Sequence, residues 1–240
     1  MIRLNDLMSC QTIELIGSFL HVITVEEEAT MTSDPLRKIR PLLEHIKMKC
    51  LQLYQPLQHL AVDERMVKSK ARCHIVQYVQ NKPCKWGFKY WVLADSSGYT
   101  VDFNVYAGKP NDKSEDELSS DVVLQLTSPF THQGYQVFVD NFYTSVNLFD
   151  KLLKAGIAAT GVMRVSRKGI PDSVKALKAV LDRKDVPRGV GYYVREPGSP
   201  FVYVCWRDSH TVLALSTALP GHSESVVTRR IKSKDGTSQR

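Results

Sequence analysis

Two runs of alternating aromatic and β-branched residues, Trp86 to Leu93 and Tyr99 to Tyr106, flank the polar turn Asp95-Ser96-Ser97-Gly98. Side chains of a strand point to opposite faces with a period of two, and a short turn ending in Gly between two such runs closes an antiparallel hairpin. A chain with this hairpin is committed to a sheet, and what flanks the hairpin decides the class. On its N-terminal side Leu7, Ile13, Leu15, Ile16, Phe19 and Leu20 fall at helical spacing. A second helical run, Leu36 to Leu53, opens behind Ser33 and Asp34 and ends before Pro56. The short apolar run Leu60-Ala61-Val62 follows and ends in Asp63 and Glu64. On the C-terminal side Ser114 and Glu117 stand in capping-box spacing ahead of Leu118, Val122 and Leu126, which share one helix face. A strand is expected over Tyr135 to Val139, a helix over Thr144 to Ala155 with Gly156 at its C′ position, and a strand over Ile157 to Arg164. The order strand, strand, strand, helix, strand, helix, strand predicts a mixed α/β sheet with flanking helices.

Past Arg164 the chain is basic and broken by Gly and Pro, with strand-like segments at Gly191 to Val194, Phe201 to Trp206 and Val212 to Ser216. After Pro220 apolar periodicity stops, and residues 221–240 read as a basic disordered tail. The boundaries that follow are 1–56 (helical), 57–164 (sheet core), 165–220 (small and β-rich) and 221–240 (tail). No apolar stretch approaches the roughly 20 residues of a membrane span, so no membrane partner is expected. Met1 is not followed by a secretory pattern. The five cysteines are scattered without a CxxC spacing, which suits reduced thiols and argues against a structural zinc site.

The net charge of +7 leans toward a polyanionic partner, and its distribution sharpens that reading. Residues 63–89 hold seven cations against Asp63 and Glu64, and residues 164–190 hold eight against three acids. Between them, residues 111–128 hold five acids and a single Lys. Blocks of this kind suit one polyanion-facing surface and one solvated surface; ordinary solvated loops give the same pattern.

Open α/β sheets bind ligands at the carboxyl ends of their strands, and Asp63 and Asp140 each follow an apolar strand core. If the two strands are parallel neighbours, the carboxylates converge, and a hard cation such as Mg²⁺ relieves their repulsion. A two-metal site of that kind performs phosphoryl transfer. The commoner role of an Asp behind a strand is that of a turn residue, and these residues alone leave both roles open.

Several ordered motifs add to this reading. Asp34-Pro35-Leu36-Arg37-Lys38-Ile39-Arg40-Pro41, Tyr54-Gln55-Pro56, Val62-Asp63-Glu64-Arg65-Met66-Val67, Lys82-Pro83-Cys84-Lys85-Trp86-Gly87-Phe88-Lys89 and Val139-Asp140-Asn141-Phe142-Tyr143-Thr144-Ser145 occur in that order. With Gly98-Tyr99, Val105-Tyr106-Ala107-Gly108 and Trp206-Arg207-Asp208, they resemble the piggyBac transposase family and the host proteins derived from it, from about Asp34 to Thr217. The resemblance implies a ribonuclease H-like core over 57–164 that cuts and rejoins DNA with two divalent metals, an insertion region over 165–220, and part of a dimerisation and DNA-binding region over 1–56. Asp63 and Asp140 stand at the first and second aspartates of the family's metal-binding set.

The family's later acidic ligands, in a Gly-Gly-Val-Asp motif, and its cysteine-rich zinc domain have no counterpart in these residues. The expectation is therefore a catalytically incomplete DDE-type core with Mg²⁺ bound weakly or not at all, and no zinc. Where the family shows a stretch like Phe-Lys-Gly-Arg, this chain has Ser69-Lys70-Ala71-Arg72, keeping the cations and losing the aromatic and the Gly. Lys68, Lys70, Arg72, Lys85, Arg167 and Lys168 are the candidate DNA contacts, through salt-sensitive phosphate binding. DNA is the expected partner, a homodimer is compatible with it, and the expected location is nuclear. The alternative is a domesticated DNA-binding or protein-interaction module without strand-transfer activity.

Overall fold

A computed structural model of the chain describes residues 8–30, 33–80, 82–108, 114–195, 197–218, 231–232 and 238–239. The chain divides into two compact units, Met1–Pro129 and Phe130–Arg240.

The first unit opens with α1 (Cys10–Phe19), where the Ser9 hydroxyl accepts the Thr12 N–H at 3.2 Å; Leu7 of the expected run lies outside the described residues. α2 (Val25–Thr30) and α3 (Arg40–Leu53) follow, the latter with Pro41 in its first turn, where a missing N–H leaves no helical bond unmade. Four strands come next: β1 (His59–Lys68), β2 (Val76–Tyr78), β3 (Trp86–Asp95) and β4 (Thr100–Val105). β3 pairs antiparallel with β1 along one edge, and with β2 and then β4 along the other. The expected hairpin is β3–β4, with a register shift at Leu93/Ala94. α4 (Glu115–Thr127) packs on β3 and β4 and starts with the expected capping box between Ser114 and Glu117.

β1 runs well past its apolar start. Ladder hydrogen bonds are made by backbone, so the strand continues while its partner does, from Leu60 opposite Asp95 to Lys68 opposite Gly87. Its far end depends on Gly87: a Cβ there would stand 2.1 Å from the Val67 carbonyl oxygen. Leu60 and Val62 are fully buried, whereas Leu36, Leu43, Ile75 and Phe103 form a separate buried cluster packed by Phe88, Tyr90 and Val92.

Asp95 and Asp102, which alternation assigns to an exposed face, are buried at 5% and 6% exposure. Asp102 is 3.7 Å from the Lys47 ammonium of α3, and burial pushes its carboxyl up against the opposing pull of Lys47. Asp95 ties three elements together. Its Oδ2 accepts the Tyr54 hydroxyl at 2.6 Å and the Leu57 N–H at 3.1 Å, and its Oδ1 accepts the Ser97 N–H at 2.9 Å and hydroxyl at 2.6 Å. Burial opposes its charge, but these donors outweigh burial and hold the carboxyl far below the usual carboxylate range.

A depressed folded-state value contributes stability that is complete above the unfolded value near pH 4 and is lost as pH falls through the folded one. Asp95→Asn is therefore expected to narrow the difference between the urea midpoints at about pH 6 and about pH 3. An unchanged difference would show that Asp95 carries no acid sensitivity.

The second unit contains β5 (Gln136–Val139), α5 (Val146–Lys154), β6 (Ala158–Val162), α6 (Asp172–Leu181), β7 (Gly191–Arg195), β8 (Val202–Arg207) and β9 (Thr211–Ser216). β5 and β6 are parallel and joined through α5, whose Leu148, Phe149 and Leu152 are buried; Gly156 takes φ +69° behind it, a left-handed conformation that Gly adopts without a Cβ clash. β6, β9, β8 and β7 then continue the sheet antiparallel in that order. Asp208 stands in the turn between β8 and β9, where its N–H donates to the His210 carbonyl at 3.1 Å.

α6 is absent from the sequence reading. Val174, Leu177 and Leu181 stand at helical spacing, with Val174 and Leu181 buried, and α6 packs on β8 and β9. Pro171 and the glycines around it read as breakers, yet Pro171 is the N-cap, a place that needs no N–H donor. The expected tail at 221–240 lies outside the described residues apart from the antiparallel pair Ile231–Lys232 and Ser238–Gln239.

Candidate nucleic-acid interface

Four of the six expected DNA contacts meet around one cavity of about 860 Å³ in the first unit. Lys68 ends β1, Lys70 and Arg72 lie on the loop behind it, and Lys85 precedes β3. Backbone bonds hold this junction: the Ser69 N–H donates to the Trp86 carbonyl at 3.4 Å, and the Val79 N–H to the Lys85 carbonyl at 2.8 Å. Cys73, Cys84 and Trp86 also line the cavity, and among the described residues no acidic side chain does. Among the described residues none of the four cations forms an ion pair. Lys89 differs: its ammonium is 2.8 Å from Glu64 and lies over the Trp91 and Tyr106 rings, a half-buried structural pair. Uncompensated like charges around a concave surface focus a positive potential and attract an anion.

Asp63 stands in the middle of β1, not at its end as the sequence suggests, because the strand extends to Lys68. It lies on the exposed side of the strand opposite Val92, and its Oδ1 accepts the Glu64 N–H at 2.7 Å.

Asp140 directly follows β5 in the second unit and is exposed. Its Oδ1 accepts the Phe142 N–H at 2.8 Å, and its carbonyl accepts the Thr144 hydroxyl at 2.7 Å and the Thr144 N–H at 3.1 Å. Asp140 thus makes an Asx turn that leads toward α5, capped in its own right by the Ser145 hydroxyl accepting the Leu148 N–H at 3.1 Å. Two arginines behind β6 brace the same turn. Arg164 donates twice to the Asn141 Oδ1, at 3.0 and 3.2 Å, and Arg167 donates to the Asn141 carbonyl at 3.4 Å and to the Phe142 carbonyl. Arg167 is therefore half-buried and engaged by the turn, whereas its neighbour Lys168 is exposed.

Room for this arrangement comes from Gly161 of β6. A Cβ there would lie 2.3 Å from the Thr144 hydroxyl and 2.7 Å from the Val139 carbonyl oxygen. Thr144, Arg164 and Gly161 are roles that sequence reasoning missed, since each depends on which strand adjoins β5. The Trp86–Tyr78 ring pair was missed for a similar reason: β2 is only three residues long, too short to show alternation.

Carboxylate oxygens are the donor type that hard divalent ions take. Asp63 and Asp140 each fit such an ion as one ligand among several. No group of three or more His, Cys, Asp or Glu able to hold a metal occurs among the described residues. No helix among them is long and apolar enough to cross a membrane.

A family model described as Transposase IS4 matches residues 2–240. The human PiggyBac transposable element-derived protein 3 is 33% identical over 222 residues, covering 90% of this chain and 36% of that protein. The human PiggyBac transposable element-derived protein 2 is 32% identical over 216 residues, covering 86% of this chain and 35% of that protein. The chain thus spans about a third of the length of the curated relatives it matches. A cryo-EM structure of the piggyBac transposase synaptic complex with hairpin DNA superimposes with a TM-score of 0.80 at 22% identity, over 95% of this chain and 47% of that one. That likeness bears out the expected fold, a ribonuclease H-like mixed sheet with flanking helices.

Proposed function

The chain belongs to the Transposase IS4 family, in its piggyBac branch, and we propose that it forms part of a DNA cut-and-paste transposase core that grips DNA and presents two metal-binding carboxylates. Asp63 and Asp140 are the carboxylates in this reading. A divalent ion such as Mg²⁺, when bound, supplies the activated water and the stabilised leaving oxygen of phosphoryl transfer. Lys68, Lys70, Arg72 and Lys85 contact phosphates from the first unit and Lys168 from the second. Arg167 serves the turn that carries Asp140. A nuclear location suits a DNA partner.

The observation that carries the reading is the convergence on one cavity, at the end of the strand that bears Asp63, of four cations that have no ion pair and no acidic neighbour in its lining among the described residues. Each phosphate neutralised by a cation releases condensed counterion, so affinity falls with salt in proportion to the number of contacts. The test is fluorescence anisotropy of the 240-residue chain with a labelled DNA duplex. The four contacts around the cavity alone predict a loss of at least about a hundredfold between about 50 and 200 mM salt, and Lys168 adds a further few-fold. An affinity that does not change with salt would overturn the reading.

A further inference from the structure

We propose that the basic cavity at the end of β1 takes an unpaired nucleotide of DNA, its base stacked on the Trp86 ring, which Tyr78 braces from β2, and its phosphates held by Lys68, Lys70, Arg72 and Lys85. This rests on the DNA-binding reading above and adds a preference to it.

The aromatic pair carries the inference. Trp86 and Tyr78 are cross-strand partners of β3 and β2, with ring centroids 4.9 Å apart at an interplanar angle of 47°. Trp86 is 58% exposed and Tyr78 51%, although tryptophan is highly buried on average. The exposed Trp86 ring, packed against Tyr78 and lining one cavity with four cations, gives an amphipathic surface, apolar on its flat face and positive around it. A nucleotide has the complementary pattern: a flat base with a π-face and an anionic phosphate. Stacking on an aromatic ring accepts any base, because each has such a face.

The cavity's volume of about 860 Å³ lies within the usual range of small-molecule sites and suits one nucleotide inside it, while a complete duplex reaches only the cations that line it. Its platform is also rigid. Trp86 opens β3 between two paired strands, its carbonyl accepts the Ser69 N–H, and Gly87 beside it brings β1 into close backbone contact. A ring fixed by the sheet loses little freedom on binding, so more of the stacking energy appears as affinity. The phosphate contacts alone do not need Trp86 or Tyr78; a base that has left its pair does.

The test uses the full chain and three labelled probes: a single strand, the same sequence as a complete duplex, and that duplex with one unpaired base. Trp86→Ala is expected to weaken the single strand and the unpaired-base duplex about tenfold, and to leave the complete duplex within about twofold. Trp86→Phe, which keeps a ring, is expected to retain most of the single-strand affinity, and thermal melting of both variants separates lost binding from lost folding. Equal losses on all three probes, or none on any, would overturn the stacking proposal while leaving salt-dependent duplex binding intact. Failure of the unaltered chain to bind any of the three would overturn the DNA reading as well.

Discussion

Changing Lys68, Lys70, Arg72 and Lys85 together to alanine is expected to weaken duplex binding at low salt by at least about a hundredfold, and to remove most of its salt dependence. All four side chains lie around one cavity, and among the described residues no acid lines it, so no such carboxylate has to be displaced before a phosphate can bind. Lys68 ends β1, Lys70 and Arg72 lie on the loop behind it, and Lys85 directly precedes β3; all four are exposed, so the substitutions remove charge without opening a core. The slope of log affinity against log salt is the decisive measurement, because each lost contact reduces its magnitude by about 0.9. A quadruple variant with the original slope would place the phosphate contacts elsewhere, and the basic block at 164–190 would be the next to test. Within that block Arg164 and Arg167 already donate to the turn at Asn141 and Phe142, whereas Lys168 beside them is exposed.

The second large effect is on stability. Gly161→Ala is expected to cost about 3 kcal/mol and to lower the melting temperature by roughly 10 °C. The new methyl group would meet the Thr144 hydroxyl at 2.3 Å, the Val139 carbonyl oxygen at 2.7 Å and the Val139 Cγ2 at 2.9 Å. One of these is backbone of the adjoining strand, which has no rotamer by which to withdraw. The hydroxyl can rotate away, but only by giving up its bond to the Asp140 carbonyl, so the damage reaches the turn that positions Asp140. Adding Thr144→Ala to Gly161→Ala is expected to restore part of the lost stability, because it removes the nearest atom. A Gly161→Ala chain that melts at the original temperature would show that β6 shifts freely, contrary to its pairing with β5 on one side and β9 on the other.

What was legible in the sequence was local. The β3–β4 hairpin, the Ser114–Glu117 capping box and the helix before Gly156 are each decided within about a dozen residues, and each is present. α6 was hidden because prolines and glycines on both sides outweighed a short apolar spacing. The second half of β1 was hidden because its polar residues carry no hydrophobic signal, and only the partner strand explains it. Asp95 and Asp102 alternate with apolar residues as exposed positions do, and their burial depends on Tyr54 and Lys47 of a helix region some forty or more residues away in sequence. The cations of the candidate site could be named from charge blocks. Their meeting with Trp86 and Tyr78 could not, since it requires the register of β2, β3 and β1 together. Asp140 is a turn residue as its position suggested, and that role leaves its family resemblance intact: the Asx turn engages Oδ1 while fixing where the carboxylate stands.

The close approach at Gly87 also acts as a lock on sliding. Only a residue without a side chain can face the Val67 carbonyl oxygen across β1 and β3. Moving one strand along the other by a single residue would bring Trp86 or Phe88 to that place, and the strands would be forced apart. The same one-step slip would turn Leu60 and Val62 out toward water and Asp63 in among buried side chains. A single missing methyl group at one end of the ladder thus decides, five residues away, which way the carboxylate of Asp63 faces.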